Sequence, residues 1–327
     1  MQTHPVWKLF CKIALVLAPF GLLFLFISLR TPYITYIEQA RVEDKIQQLV
    51  VRAPQAPQAI IAGDSRAEDN VIPALFTQQS GLSLANVGSG GEILSQAYEA
   101  LAASKALNQH RLIIMSVSIY NIGDGMLDAV HDDPRIINKE PWGRQKIKDI
   151  LSYAHAFADY YIEHFKNTLR FDTPDNIHIS TALLATGGYD AQDSTLVVPA
   201  GSTPPNPDTS WYNDARSGGL HQEEFVQSLQ KLGDSNDTIV IYIGPIAPLW
   251  KESSEPANIQ AADQQFAKVI EQAIAPYPNM HFIDFQDQNN PTMQNDMFAD
   301  RVHLNATGAA AFTTLLVDTL RSRGIIK

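Results

Sequence analysis

The sequence predicts an α/β fold: a three-layer domain on an open parallel sheet, preceded by a single N-terminal transmembrane helix. Three observations carry this expectation. Short apolar runs recur between residues 59 and 285, helix-length segments separate them, and an uncharged apolar stretch from Ile13 to Leu29 lies near the start of the chain.

The N-terminal segment comes first. From Val6 to Leu29 only Lys8 and Lys12 interrupt the apolar sequence, and a helix of that length extends about 36 Å, enough to cross a bilayer if Lys12 reaches toward the headgroups. Residues 1–30 are therefore expected to be a signal anchor rather than a cleaved signal peptide, because Ser28-Leu29-Arg30-Thr31-Pro32 offers no small-residue cleavage site. Lys8 and Lys12 precede the span with no acid beside them. The positive-inside rule then puts the first residues in the cytoplasm and everything after Arg30 outside it, which in a bacterium means a single-pass inner-membrane (cell-membrane) protein with a periplasmic or extracellular domain.

Residues 31–57 are expected to form a stalk and linker. Residues 33–50 contain no Gly or Pro and read as a polar helix, which Ala53-Pro54-Gln55-Ala56-Pro57 ends. The domain itself is expected over 58–327. Strands are read at 59–63, 83–87, 111–118, 238–244 and 280–285, and helices at 92–108, 221–232, 258–275 and 305–322. Residues 122–220 are too long for one connection and are expected to be an insertion. Its first part, 143–170, reads as helical with Tyr153, Phe157, Tyr160, Tyr161 and Phe165, and 171–219 reads as loop.

Composition narrows the partners. The chain carries 24 Lys and Arg against 35 Asp and Glu, a formal charge of −11, and Lys8, Lys12 and Arg30 leave the exported part more acidic still. That disfavours nucleic acid and anionic lipid as ligands and leaves neutral polysaccharide or acyl substrates. The one cysteine, Cys11, falls in the anchor, so the exported part can hold neither a disulfide nor a Cys-based metal site.

The chemistry is concentrated at two places. The first strand ends in Gly63-Asp64-Ser65-Arg66, and Asp300-Arg301-Val302-His303 lies near the C-terminus. A serine is a weak nucleophile until a base takes its proton and a third group fixes the base's tautomer, and His303 and Asp300 suit those roles. Asp-x-x-His also occurs at Asp128 with His131 and at Asp175 with His178, but only the third copy follows a strand-like run and precedes a helix. By itself Gly63-Asp64-Ser65 equally fits an ordinary strand-to-helix turn in which Ser65 is an N-cap, and the glycines at 88–91 fit a tight turn.

The order Ser, Asp, His, with the last two in D-x-x-H, resembles the SGNH or GDSL hydrolase family, whose first block reads G-D-S. Asn86-Val87-Gly88-Ser89-Gly90-Gly91 is similar to the family's N-x-G-x-x-G block. The third block, usually G-x-N-D, is represented by Ser118-Ile119-Tyr120-Asn121-Ile122, which lacks its Gly and Asp. The resemblance implies an SGNH hydrolase-like, flavodoxin-like fold and an acyl-Ser65 intermediate formed with His303 and Asp300. It also implies an oxyanion hole made by the backbone N–H groups of Ser65 and Gly91 and the side chain of Asn121. Ser65, Gly91, Asn121 and His303 would all lie beyond strand C-termini, where open parallel sheets bind ligands. No metal or organic cofactor is expected. An anchored branch of this family implies an esterase or O-acyltransferase acting on acyl esters of a polysaccharide or envelope glycan. Its expected partner is a membrane-bound O-acyltransferase or a polysaccharide synthase. The incomplete third block favours one alternative: a non-catalytic glycan-binding or assembly factor that keeps the fold.

Overall fold

The computed structural model describes residues 42–122, 179–192, 195, 220–251, 256–286 and 293–327. The expected membrane segment, the first part of the expected stalk, most of the expected insertion and both alternative Asp-x-x-His pairs lie outside the described residues. Among the described residues no helix is long and apolar enough to cross a membrane.

Five parallel strands form one sheet in the order β2-β1-β3-β4-β5. They are β1 Ala59–Gly63, β2 Leu84–Asn86, β3 Leu112–Val117, β4 Thr238–Ile243 and β5 Met280–Asp284. All five expected strands are present. The central three read as unbroken apolar runs because a parallel sheet covered on both faces buries every side chain. Successive residues point to opposite faces, so Ile60, Ala62, Ile113 and Met115 pack into one core layer while Ala59, Ile61, Ile114 and Val240 pack into the other.

The helices are α1 Ser65–Asn70, α2 Pro73–Ser80, α3 Leu94–Ala103, α4 Thr181–Ala185, α5 Leu220–Gly233, α6 Pro248–Lys251, α7 Pro256–Ile274 and α8 Ala306–Ser322. Residues of α3, α5 and α7 fill the first core layer, where Phe225 and Phe266 meet at 5.5 Å. Residues of α1, α2 and α8 fill the second, where Phe312 packs on Tyr242 and Phe285.

Two expected segments depart from the sequence expectation by more than two residues. Helix α3 ends at Ala103 rather than 108. Lys105, Asn108 and His110 take left-handed φ values of 55°, 62° and 54°, and the buried Asp237 carboxylate gathers the N–H groups of Asn108, Gln109 and Arg111, so the chain leaves the helix to wrap this acid. The stalk is the larger correction. Residues 42–46 are helical, a π-helical turn follows at Gln47–Val51, and Val42, Ile46 and Val50 are buried in the first core layer. Residues 42–50 of the segment expected to be a spacer therefore pack into the domain, while Val51 and most of the residues up to Ala56 are exposed.

Candidate active site

The first strand delivers its serine through a strained turn. Gly63 ends β1 at φ 119°, and a Cβ there would lie 2.3 Å from the Ser116 carbonyl oxygen of the neighbouring strand. Only glycine lets the backbones approach this closely. Asp64 then caps α1: its Oδ1 accepts from Arg66 N–H at 3.0 Å and Ser116 Oγ–H at 3.1 Å, and its Oδ2 accepts from Ser118 Oγ–H at 2.9 Å. The N-cap is therefore Asp64, and Ser65 is the first helical residue with its side chain free for other contacts.

His303 comes to Ser65 from the other end of the chain. Its Nε2 lies 2.7 Å from Ser65 Oγ, and its Nδ1 lies 2.7 Å from Asp300 Oδ2. The other Asp300 oxygen, Oδ1, accepts from the backbone N–H groups of Val302 and His303, both at 2.8 Å. Three contacts fix this loop: Leu304 N–H donates to Asn70 Oδ1 at the end of α1, Ala247 N–H to Arg301 O, and Ala299 N–H to His303 O. Asn305, formally the first residue of a glycosylation sequon, caps α8 by accepting from Gly308 N–H, which makes its role structural. Ser65, His303 and Asp300 thus form one hydrogen-bonded relay across 238 residues of sequence.

Gly91 lies in the turn after β2. It is exposed, with φ 72°. This loop is tied to α1 at several points. Asn86 donates from Nδ2 to the carbonyls of Ala67 and Glu68, which the end of α1 leaves without intrahelical partners, and of Val71 just beyond it, and accepts Gly88 N–H on Oδ1. Gly88 packs so tightly on α1 that a Cβ would lie 2.6 Å from Ala67 Cβ. Gly90 N–H donates to Glu68 Oε2 at 3.1 Å, and Ser89 N–H donates to Gly63 O. The loop and the serine-bearing helix are in effect one body.

Asn121 sits in the 3-10 turn Ile119–Ile122 beyond β3. Its Oδ1 accepts Leu94 N–H at 3.0 Å, holding the start of α3, and its Nδ2 is buried with no hydrogen-bond partner among the described residues. Beside it, Tyr120 has its ring 6.0 Å from the Arg66 guanidinium.

Charges around His303 decide its protonation. Burial alone would lower its pKa, but the hydrogen bond and charge of Asp300, joined by Asp69 and Asp64, raise it above the ordinary 6.5. Burial likewise pushes Asp300 upward, but the hydrogen bonds from His303 and from the Val302 and His303 amides outweigh it and hold the carboxyl at about 2. Asp69, one turn beyond Ser65 on α1, is raised from 3.8 to about 7 by burial and by the neighbouring Glu68 and Asp190, against the lowering pull of His303 and a hydrogen bond from Gln192. Glu92, directly after Gly91, is fully buried and pushed well above the carboxylate range by desolvation, which Lys45 only partly offsets. Sequence reasoning missed Asp69, Glu68, Glu92 and Lys45. Among the described residues no group of three or more His, Cys, Asp or Glu is arranged to hold a metal ion.

No protein-family model and no curated protein matches the chain. It is similar to several solved structures. One, from Streptococcus pneumonia, is provisionally named a platelet activating factor (15% identity, 86% of this chain, 92% of that one, TM-score 0.40). Another is an alpha/beta hydrolase enzyme from the metagenome of Lake Arreo, Spain (11% identity, 83% and 96%, TM-score 0.41). A third is a gut microbial diltiazem-metabolizing enzyme (11% identity, 80% and 46%, TM-score 0.39). Overlap this loose says nothing about chemistry, which rests on the atoms of the site.

Proposed function

We propose that the protein is a serine-dependent ester hydrolase or O-acyltransferase that works through an acyl-Ser65 intermediate. One observation carries the reading: His303 touches Ser65 Oγ through Nε2 and Asp300 through Nδ1, both at 2.7 Å. With Asp300 ionised, Nδ1 keeps its proton and Nε2 presents a lone pair to the serine hydroxyl.

In the first half-reaction His303 Nε2 takes the Ser65 proton as Oγ attacks the ester carbonyl, and the π-electron pair moves onto the carbonyl oxygen. Ser65 N–H, which as the first helical amide has no intrahelical acceptor, and Gly91 N–H donate to that oxyanion, with Asn121 Nδ2 as the third donor. Collapse of the adduct breaks the ester C–O bond, and His303 returns its proton to the departing alkoxide. In the second half an acceptor hydroxyl loses its proton to His303 and attacks the acyl-serine carbonyl, and collapse of the adduct breaks the acyl–Oγ bond as His303 returns the proton to Ser65 Oγ. Water as acceptor gives hydrolysis; a sugar hydroxyl gives transfer. The N-terminal apolar segment and the acidic balance of the chain support an anchored enzyme acting outside the cytoplasm on neutral acylated glycans.

The test is turnover of an acetyl or short-acyl ester by the purified full-length protein and by Ser65→Ala, with and without a soluble glycan acceptor. The reading expects turnover that falls by several orders of magnitude in the folded variant. Undiminished turnover by Ser65→Ala would end it, and no turnover of any donor would favour the non-catalytic binding factor.

A further inference from the structure

Lys45 occupies the least hospitable position for an ammonium group: its exposure is 0%, among core residues. A buried lysine with no partner would lose its proton or unfold its surroundings. Here Nζ donates to Glu68 Oε1 at 2.6 Å and also to the Gly88 carbonyl, with Gly188 O a further 3.5 Å contact. Glu68 is itself nearly buried, and its second oxygen accepts Gly90 N–H at 3.1 Å.

The placement of these partners is specific. Glu68 lies on the same short helix as Ser65, three residues on, while Gly88 and Gly90 flank Ser89 immediately before Gly91. The ion pair therefore grips the glycine loop at a carbonyl and at an amide, one peptide before the expected oxyanion donor, and ties both to the serine-bearing helix. A Gly91 N–H free to turn by one peptide flip would leave half of the oxyanion hole unformed, because a donor stabilises the transition state only when it already points where charge develops.

We propose that the Lys45–Glu68 ion pair is a positioning device for the oxyanion-binding loop, so that the helix preceding the sheet, which the sequence presents as a spacer, is a working part of the active site. This rests on the acyl-serine reading above. Lys45 touches no reacting atom and acts through Gly88, Glu68 and Gly90.

The experiment compares full-length parent, Lys45→Met and the double variant Lys45→Met/Glu68→Leu on one short-acyl ester, with circular dichroism and urea unfolding as checks of the fold. The double variant removes both charges at once, a replacement that buried ion pairs often tolerate without loss of stability. In a folded double variant kcat should fall by about 30-fold or more, since one oxyanion donor is typically worth 10²–10³-fold. KM should stay within about threefold and the acid limb of the pH profile, set by His303, should not move. Unchanged kcat in the folded double variant would overturn the proposal. So would unfolding of both variants, because Lys45 would then be holding the fold rather than the loop. A parent that turns over the ester while Ser65→Ala does not keeps the acyl-serine reading standing whichever way Lys45 falls.

Discussion

Replacing Asp300 with Asn tests the relay at its least protected member. Asn can still accept the Val302 and His303 amides through its carbonyl, so the turn at 300–303 should survive. The amide nitrogen, however, would face His303 Nδ1 and donate to it. That forces the proton to Nε2, the atom that must accept from Ser65, and the resting tautomer becomes the wrong one. The same exchange in a buried serine-protease triad lowers turnover about 10⁴-fold. Here the Asp300 side chain is 55% exposed and that of His303 25%, so water can take over part of the orienting role, and a loss of about 10²–10⁴-fold is expected, or about 2.7–5.5 kcal/mol of transition-state stabilisation. The pH profile supplies a second reading. His303 acts as base only when neutral, so parent kcat/KM should rise with pH through a midpoint above 6.5, where Asp300 holds it. Without that carboxylate the two largest upward pulls are gone, only Asp69 and Asp64 oppose burial, and the midpoint should move to lower pH. Stopped-assay hydrolysis of a p-nitrophenyl ester between pH 5 and 9 measures both. Activity within threefold of parent with an unmoved acid limb would refute the relay.

Gly63→Ala should destabilise the domain by about 2–4 kcal/mol in urea unfolding, because its Cβ would meet Ser116 O at 2.3 Å in a backbone conformation that L residues rarely adopt. Parent-like stability would mean that the turn relaxes. Asp69→Asn should stabilise the protein above pH 7. Its folded pKa of about 7 against 3.8 means that the native state holds a proton the unfolded chain releases, so the parent loses stability as pH rises from about 4 to 7, by a few kcal/mol at most. The urea midpoint of the variant should be flatter across that window, and parallel midpoints would reject the assignment. Asp300 runs the opposite way: its depressed pKa of about 2 gives stability that is present above 3.8 and is lost as pH falls toward 2. A Thr substitution at Asn86 should cost about 2 kcal/mol or more, since its buried amide ties the Ala67, Glu68 and Val71 carbonyls at the end of α1 to β2.

The strands were legible because a buried parallel strand writes a run such as Leu112 to Val117 that no other element needs. Ser65, Asp300 and His303 were legible as a set because a nucleophile after β1 and an acid–base pair near the C-terminus converge once the sheet is drawn. Helices α1 and α2 escaped notice, since six residues rich in charge, Ser65–Asn70, carry no apolar period. The spacing Val42, Ile46, Val50 did carry one, at every fourth residue, but Lys45 on the same stripe and the many polar neighbours made the segment read as solvated. Its burial depends on partners at Glu68, Gly88 and Gly188, 23 to 143 residues away, which spacing along the chain does not reveal. Asn121 shows a different limit: its position beyond β3 was readable, but the attachment of its carbonyl to Leu94 N–H was not.

The central claim is that Ser65 Oγ is the atom that becomes acylated. Incubating the full-length protein with a fluorophosphonate, which traps activated serines as a stable tetrahedral-phosphorus adduct, and mapping the mass increment by peptide sequencing tests it directly. The account predicts a single adduct on Ser65, absent in Ser65→Ala and formed far more slowly in His303→Ala. An adduct on another serine, or none on folded parent protein under conditions that label a known serine esterase, would contradict it.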